Sequence, residues 1–182
     1  MNALAVGRLE APSIVTLAAQ PVALIPIVVE RGRIGEVMGP GLSELFAALA
    51  AQSIVPSGPW FTHHKQITDQ TFDFEICLPV EAHVSRSGRV VAGERRAMRA
   101  FRAAYSGPYE GLSGAWIALH TQIAQSGQRV ARDLFEVYAV GPDASSNADD
   151  WRTELIKPID SDTPADLAKP GGAAVDTIAN RP

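Results

Sequence analysis

The chain has 182 residues, enough for one domain or for two small halves sharing a core. Its 46% hydrophobic and 20% charged content argues against global disorder, and a net charge of -4 leaves no electrostatic footprint for nucleic acid. The single cysteine, Cys77, excludes an intrachain disulfide and fits a reducing cytoplasm. The N-terminal segment has no charged leader ahead of an apolar run, and the longest apolar stretch, PVALIPIVV, is broken by Pro26 and too short to span a bilayer. The expectation is a cytoplasmic protein with no membrane partner and no direct nucleic-acid partner.

In chain order, residues 1–12 read as an extended lead-in. From Val15 to Glu30 the β-branched residues cluster (Val22, Ile25, Ile27, Val28, Val29), which predicts strand, with Pro21 and Pro26 confining parts of it to an edge or bulge. A glycine-rich turn follows at Gly32, Gly35, Gly39 and Gly41. Leu42, Leu45, Phe46 and Leu49 then fall at i, i+3, i+4 and i+7, one face of a helix. After Gly58-Pro59 come two strands, 60–66 and 71–80; in the second, Phe72, Phe74, Ile76 and Leu78 alternate with Asp73, Glu75 and Cys77. Residues 88–105 read as strand despite Arg95, Arg96, Arg99 and Arg102. Gly107-Pro108 starts a second turn, and Leu112, Trp116, Leu119 and Ile123 form a second helical stripe. Strands at 135–140 and 151–159 flank the polar loop GPDASSNADD, and residues 160–182 read as a Pro/Ala/Asp-rich tail or linker.

The two halves resemble each other. GPGLSELFAALA matches GPYEGLSGAWIALH, and FDFEICLP matches WRTELIKP, each ending with an acid (Glu75, Glu154) four residues before a proline. WFTHHK then takes the place of LFEVYA, so Thr62 corresponds to Glu136 and His64 to Tyr138. The predicted fold is α+β: one domain over 1–159 built from repeats at about 14–80 and 90–159. Each repeat is a strand–helix–strand–strand unit related to the other by a pseudo-twofold axis. The antiparallel sheet carries both helices on one side, with a cleft between the halves, where ligand pockets often form.

Glu136 stands out because a carboxylate within an apolar strand is costly to bury without a partner. It faces either a cleft or structural partners, such as backbone donors or one of the arginines at 95–102. His63 and His64 adjoin on a strand and should point to opposite faces, which argues against a shared metal site. Cys77 reads as a core thiol. No phosphate-binding glycine loop or nucleophile elbow is present, and no cofactor or metal is expected.

These motifs carry a resemblance. Gly58-Pro59-Trp60-Phe61, the strand ending Glu75-Ile76-Cys77-Leu78-Pro79, Gly107-Pro108-Tyr109, Phe135-Glu136-Val137-Tyr138 and Trp151 through Ile159 occur in the order found in the GyrI-like effector-binding family. That family comprises ligand domains of multidrug-sensing bacterial regulators and also stand-alone proteins, and the likeness covers roughly residues 14–160. It implies a duplicated α+β domain with an aromatic cleft, an acid at its floor, and bulky, often cationic or amphipathic ligands. Position gives the acid's role to Glu136. One departure is His64, where the family leads us to expect tyrosine.

The candidate ligand-binding residues are therefore Glu136, Tyr138, Trp60, His64, Tyr105, Tyr109, Trp116 and Glu154. Glu75 and Glu154 have the alternative reading of outward or salt-bridged strand acids, and the aromatics that of simple core. Three functions follow from the resemblance. The first is a stand-alone module that senses or sequesters a hydrophobic or cationic small molecule. The second is a hydrolase of reactive hydrophobic compounds such as cyclopropanoids, with Glu136 as general acid or base and Tyr138 as a second proton donor. The third is a module of the gyrase-inhibitor type that docks on a protein partner or regulator. Burial should raise the pKa of Glu136 in the empty cleft.

Overall fold

The computed structural model describes residues 7–160; most of the tail and the first six residues of the lead-in lie outside that range. Nine strands, β1 (Arg8–Leu9), β2 (Ser13–Leu17), β3 (Gln20–Glu30), β4 (Phe61–Ile67), β5 (Thr71–Pro79), β6 (Val91–Arg95), β7 (Met98–Ser106), β8 (Leu134–Val140) and β9 (Arg152–Pro158), form one antiparallel sheet. Two helices, α1 (Ile34–Ala51) and α2 (Leu112–Gln125), complete the fold.

The strand order is β1-β7-β9-β8-β4-β5-β3-β6, with β2 also on β7. Its central six read the same from either end: β7-β9-β8 against β4-β5-β3, with α1 joining β3 to β4 and α2 joining β7 to β8. The axis of this pseudo-twofold can be placed to the residue. Thr62 pairs with Glu136 across β4 and β8, while Phe61 pairs with Val137 and His63 with Phe135. On the sequence match that makes Thr62 and Glu136 equivalents, this pairing puts the axis between them.

The two halves are also exchanged at their edges. β2, which leads into β3, pairs with β7, and β6, which leads into β7, pairs with β3. Only Ala18 and Ala19 separate β2 from β3, and only Arg96 and Ala97 separate β6 from β7. Across a flat sheet β7 and β3 would stand about 24 Å apart, five strand spacings, whereas the step from Leu17 to Gln20 spans at most about 11 Å. The sheet must therefore curl into a half-barrel. The face inside the curl packs Val22, Phe61, Cys77, Met98, Ala100, Phe135 and Ile156. Burial pushes the Cys77 thiol far up, as suits a core thiol.

Both helices lie on the other face. α1 buries Leu45, Ala48 and Leu49 against Ile25, Phe74 and Ile76, and α2 buries Ala115, Trp116, Leu119 and Ile123 against Phe101, Ala103 and Leu155. Period-two alternation assigns the central strands. Trp60, Leu134 and the buried residues between them in register face the helices, while Phe61 and Phe135 face the curl.

Two expectations about α1 are corrected. Three of the four glycines predicted as a turn belong to the helix, which starts at Ile34 and contains Gly35, Gly39, Pro40 and Gly41, while Gly32 sits in the single 3-10 turn just before it. Helix propensity argues against such a run, but packing of the later turns onto the sheet overrides it. Gly41 is buried there, and a Cβ on it would stand 2.8 Å from Ile76 Cδ1. Phe46, placed on the buried stripe, is 45% exposed, because the stripe follows Gly41, Leu45, Ala48 and Leu49 instead.

His63 points into the curl, opposite to His64, and joins three strands. Its Nδ1 lies 3.1 Å from Glu75 on β5 and its Nε2 2.9 Å from Asp133 just before β8, while its ring stacks on Phe135 at 4.3 Å. Arg96 also pairs with Asp133, and Lys65 with Glu75 and Asp73. Burial opposes a charge on His63, but Asp133 and Glu75 together outweigh it and raise its pKa above the ordinary value. A raised histidine pKa contributes stability that is fully present below the unfolded value, about 6.5, and is lost as pH rises through the folded value. His63→Gln should therefore cost about 1.5–3 kcal/mol near pH 6, with the difference from wild type shrinking as pH rises. Urea unfolding across that range measures this; a pH-independent difference would contradict it.

Candidate functional site

A cleft of about 1000 Å³ opens between the two helices, with β4 and β8 as its floor. The α1 wall contributes Ile34, Gly35, Met38, Gly39 and Leu42, and the α2 wall Leu112, Ser113, Trp116, Ile117 and His120. A Cβ on Gly35 or Gly39 would meet nothing within 4 Å. The glycines that weaken α1 as a helix therefore also keep its wall of the cleft open.

Glu136 sits in that floor, 9% exposed. It projects toward the helices because it alternates with Phe135 and Val137, which fill the curl. The indole Nε1–H of Trp116 donates to its Oε1 at 2.7 Å, and the Tyr138 hydroxyl donates to its Oε2 at 2.6 Å. His64 Nε2 stands 3.7 Å from Oε2 and 3.1 Å from the Thr62 hydroxyl. Burial would raise the carboxyl's pKa, but the His64 imidazole, then Tyr138, then Trp116 outweigh it and leave the pKa below its ordinary value. The expectation of a raised pKa is corrected on that ground: three polar neighbours converge on one carboxylate. None of the arginines at 95–102 is among them. Arg95 lies over Phe61, and Arg96 lies over Phe135 and pairs with Asp133, on the other face of the sheet.

Tyr138 is itself held as a donor, since burial first and the Glu136 charge second push its pKa well above the usual phenol range. Its ring stacks on Trp60 at 3.9 Å between centroids with 14° between planes, and Tyr109 meets it edge-on at 5.5 Å. Trp151 packs against Tyr109 at 4.7 Å. The result is an aromatic wall beside a buried, ionised carboxylate.

Six of the eight residues singled out from the sequence therefore come together: Glu136, Tyr138, Trp60, His64, Tyr109 and Trp116. Tyr105 and Glu154 do not. Tyr105 faces α2 from β7, buried, with its hydroxyl donating to the Pro108 carbonyl at 3.0 Å. Glu154 alternates with Leu155, which packs under α2, so it points away from the helices, where Arg102 lies 4.0 Å off. Glu75 likewise points into the curl.

Sequence reasoning missed Arg31, Phe72, His120 and the loop at Gly141, Pro142 and Asp143, all of which line the cleft. His120 was within reach, lying one helical turn beyond Trp116, with ring centroids 5.5 Å apart. The loop carried no signal, because a polar Gly-Pro segment reads the same whether or not it borders a cavity. Among the described residues, no group of three or more His, Cys, Asp or Glu side chains could hold a metal ion, and no helix is long and apolar enough to cross a membrane.

A carboxyl held below its ordinary pKa contributes stability that is present above the unfolded value and lost as pH falls through the folded one. Trp116→Phe and Tyr138→Phe each strip one donor from Glu136. Each should cost about 1–3 kcal/mol at neutral pH, with a smaller loss in acid, and each should move the Glu136 carboxyl titration, followed by carbon-13 NMR, to higher pH. An unmoved titration in both variants would show that these bonds do not set its charge.

Comparison with known proteins agrees with this fold. The chain matches the GyrI-like small molecule binding domain over residues 10–160. No curated protein sequence matched it. Among solved structures, the C-terminal domain of EcmrR superposes with a TM-score of 0.73 at 19% identity, covering 82% of this chain and 97% of that one. In an EcmrR–DNA complex the same likeness spans 57% of the longer EcmrR chain and 85% of this one, with a TM-score of 0.73 at 18% identity. SAV2435, solved bound to tetraphenylphosphonium, superposes with a TM-score of 0.58 at 13% identity, covering 83% of this chain and 94% of that one. A hydrolase from Listeria innocua does so with a TM-score of 0.61 at 12% identity, covering 82% of this chain and 91% of that one. At these identities the structures share a fold, whereas the family match extends from β2's approach to the end of β9, and on it the protein belongs to the GyrI-like family of small-molecule binding domains.

Proposed function

We propose that the cleft binds bulky, hydrophobic small molecules carrying a positive charge, for sensing or sequestration. One observation carries the reading: a carboxylate 9% exposed, its two oxygens held by Trp116 and Tyr138, at the floor of an apolar cleft and beside the stacked Trp60–Tyr138 pair. A delocalised cation loses little hydration on entering such a space, and each good contact with a ring face is worth about 0.5–2 kcal/mol. The tetraphenylphosphonium complex of SAV2435 supports the reading by fold likeness. Sensing, as opposed to sequestration, would require a protein partner or regulator to read the bound state.

The same geometry weighs against Glu136 as a general acid. A carboxyl with a lowered pKa holds no proton to give near neutral pH. Both its oxygens already accept a hydrogen bond, so a substrate proton would have to compete with Trp116 and Tyr138.

Tetraphenylphosphonium should bind with micromolar affinity, about -8 kcal/mol. Glu136→Gln should weaken it by about 1–3 kcal/mol, while a neutral triaryl compound of similar shape loses much less. Calorimetry on the two compounds with both proteins decides the matter. Equal losses would make Glu136 a structural residue, and turnover of a cyclopropanoid or ester panel that Glu136→Gln abolishes would favour the hydrolase.

A further inference from the structure

His64 occupies the place that Tyr138 holds in the other half, so this departure from symmetry beside the axis puts a titratable base against the acid. It is buried, 5% exposed, and lines the cleft. Its ring stacks on Phe74 at 5.3 Å and meets Phe72 edge-on at 5.8 Å. Its Nε2 is shared between the Thr62 hydroxyl and Glu136, while its Nδ1 is buried with no hydrogen-bond partner.

This asymmetry decides what each protonation state costs. With one proton, on Nε2, the imidazole donates toward Thr62 and Glu136 and leaves Nδ1 a bare acceptor among phenylalanines. The second proton must sit on Nδ1 with nothing to receive it, an N–H buried without a partner. The cationic ring is then compensated by Glu136 alone, the charge facing it from β8. β5 presents Phe72 and Phe74 to it, because Asp73 and Glu75 alternate onto the other face, where they meet Lys65 and His63. β4 presents Thr62, and Trp116 approaches Glu136 from α2. The other charged or titratable groups lining the cleft are Arg31, Tyr109, His120, Tyr138 and Asp143. Among the described contacts none of the five hydrogen-bonds His64. Arg31 lies over Phe72 and donates to the Thr68 carbonyl, while Tyr138 donates to Glu136 Oε2, the same oxygen that His64 Nε2 faces at 3.7 Å.

We propose that His64 is the charge-selecting residue of the cleft: a proton on His64 and the positive charge of a ligand are alternative partners for Glu136. This rests on the reading of the cleft as a cation site. With His64 charged, the His64–Glu136 pair is neutral and a second cation gains little from the carboxylate. With His64 neutral, the floor carries a net negative charge. Binding of a hydrophobic cation to the protonated form therefore expels that proton to solvent, and the cleft takes permanent cations more tightly as pH rises, up to a plateau.

The test is calorimetry with tetraphenylphosphonium in two buffers of different ionisation enthalpy, from about pH 5 to about pH 8. The expected result is release of up to one proton per cation bound and an affinity that rises about tenfold or more across the range. In His64→Gln both the release and the pH dependence of affinity should vanish. Equal enthalpies in the two buffers, or a release that survives in His64→Gln, would overturn the proposal. A second measurement needs no ligand: NMR titration of the His64 ring in wild type and in Glu136→Gln. Loss of the carboxylate's charge should move the His64 ring signals' pH response, and an unchanged response would overturn the coupling. If the titration moves but tetraphenylphosphonium does not bind, the coupling stands and the cation-site reading fails.

Discussion

The pairing of Thr62 with Glu136 on the pseudo-twofold axis is the contact on which the rest of the site depends. The axis fixes a side chain from each half at the same point of the sheet, and the alternation of β4 and β8 sends both toward the helices. One half supplies a hydroxyl there and the other a carboxylate. Because Phe135 and Val137 flank the acid along its own strand, its charge has to be met from across the strands and from above.

That need shapes the cleft. Trp116 reaches down from α2 and Tyr138 reaches back along β8, so the orientation of one helix wall and the placement of the aromatic wall both answer to a single carboxylate. α1 makes no such contact with Glu136. It is held instead by apolar packing in its later turns, and its early turns carry glycine where the cleft needs width. The two walls thus divide the work: one satisfies the charge at the floor, and the other leaves room above it. On the opposite face His63, Asp133 and Glu75 tie the same strands together with charges kept apart from the cleft.

Much of this was legible in the sequence, for reasons tied to particular residues. The match of WFTHHK with LFEVYA suggested a correspondence of Thr62 with Glu136, and the register pairs these two residues across β4 and β8. Adjacency of His63 and His64 on a strand was enough to separate their faces. What could not be read was any property set by tertiary contact. Gly39-Pro40 looks like a turn because local propensity says so, and only the sheet beneath Leu45 and Leu49 keeps it helical. Tyr105 looks like Tyr109 as a composition signal, yet it is turned under α2, while Tyr109 meets Tyr138. The sign of the Glu136 shift was unreadable for the same reason. Burial can be guessed from an apolar strand, but donors arriving from α2 and β4 cannot.

The most direct test of the central claim is a crystal structure of the protein with tetraphenylphosphonium. The account predicts the phosphorus between the two helices, within about 6 Å of the Trp60 or Tyr138 ring and on the side of the cleft that Glu136 faces, with the Trp116 indole still donating to the carboxylate. A cation seated outside the cleft, or within it but turned away from Glu136 toward Arg31, would contradict the claim that this carboxylate is what the cleft is built to present.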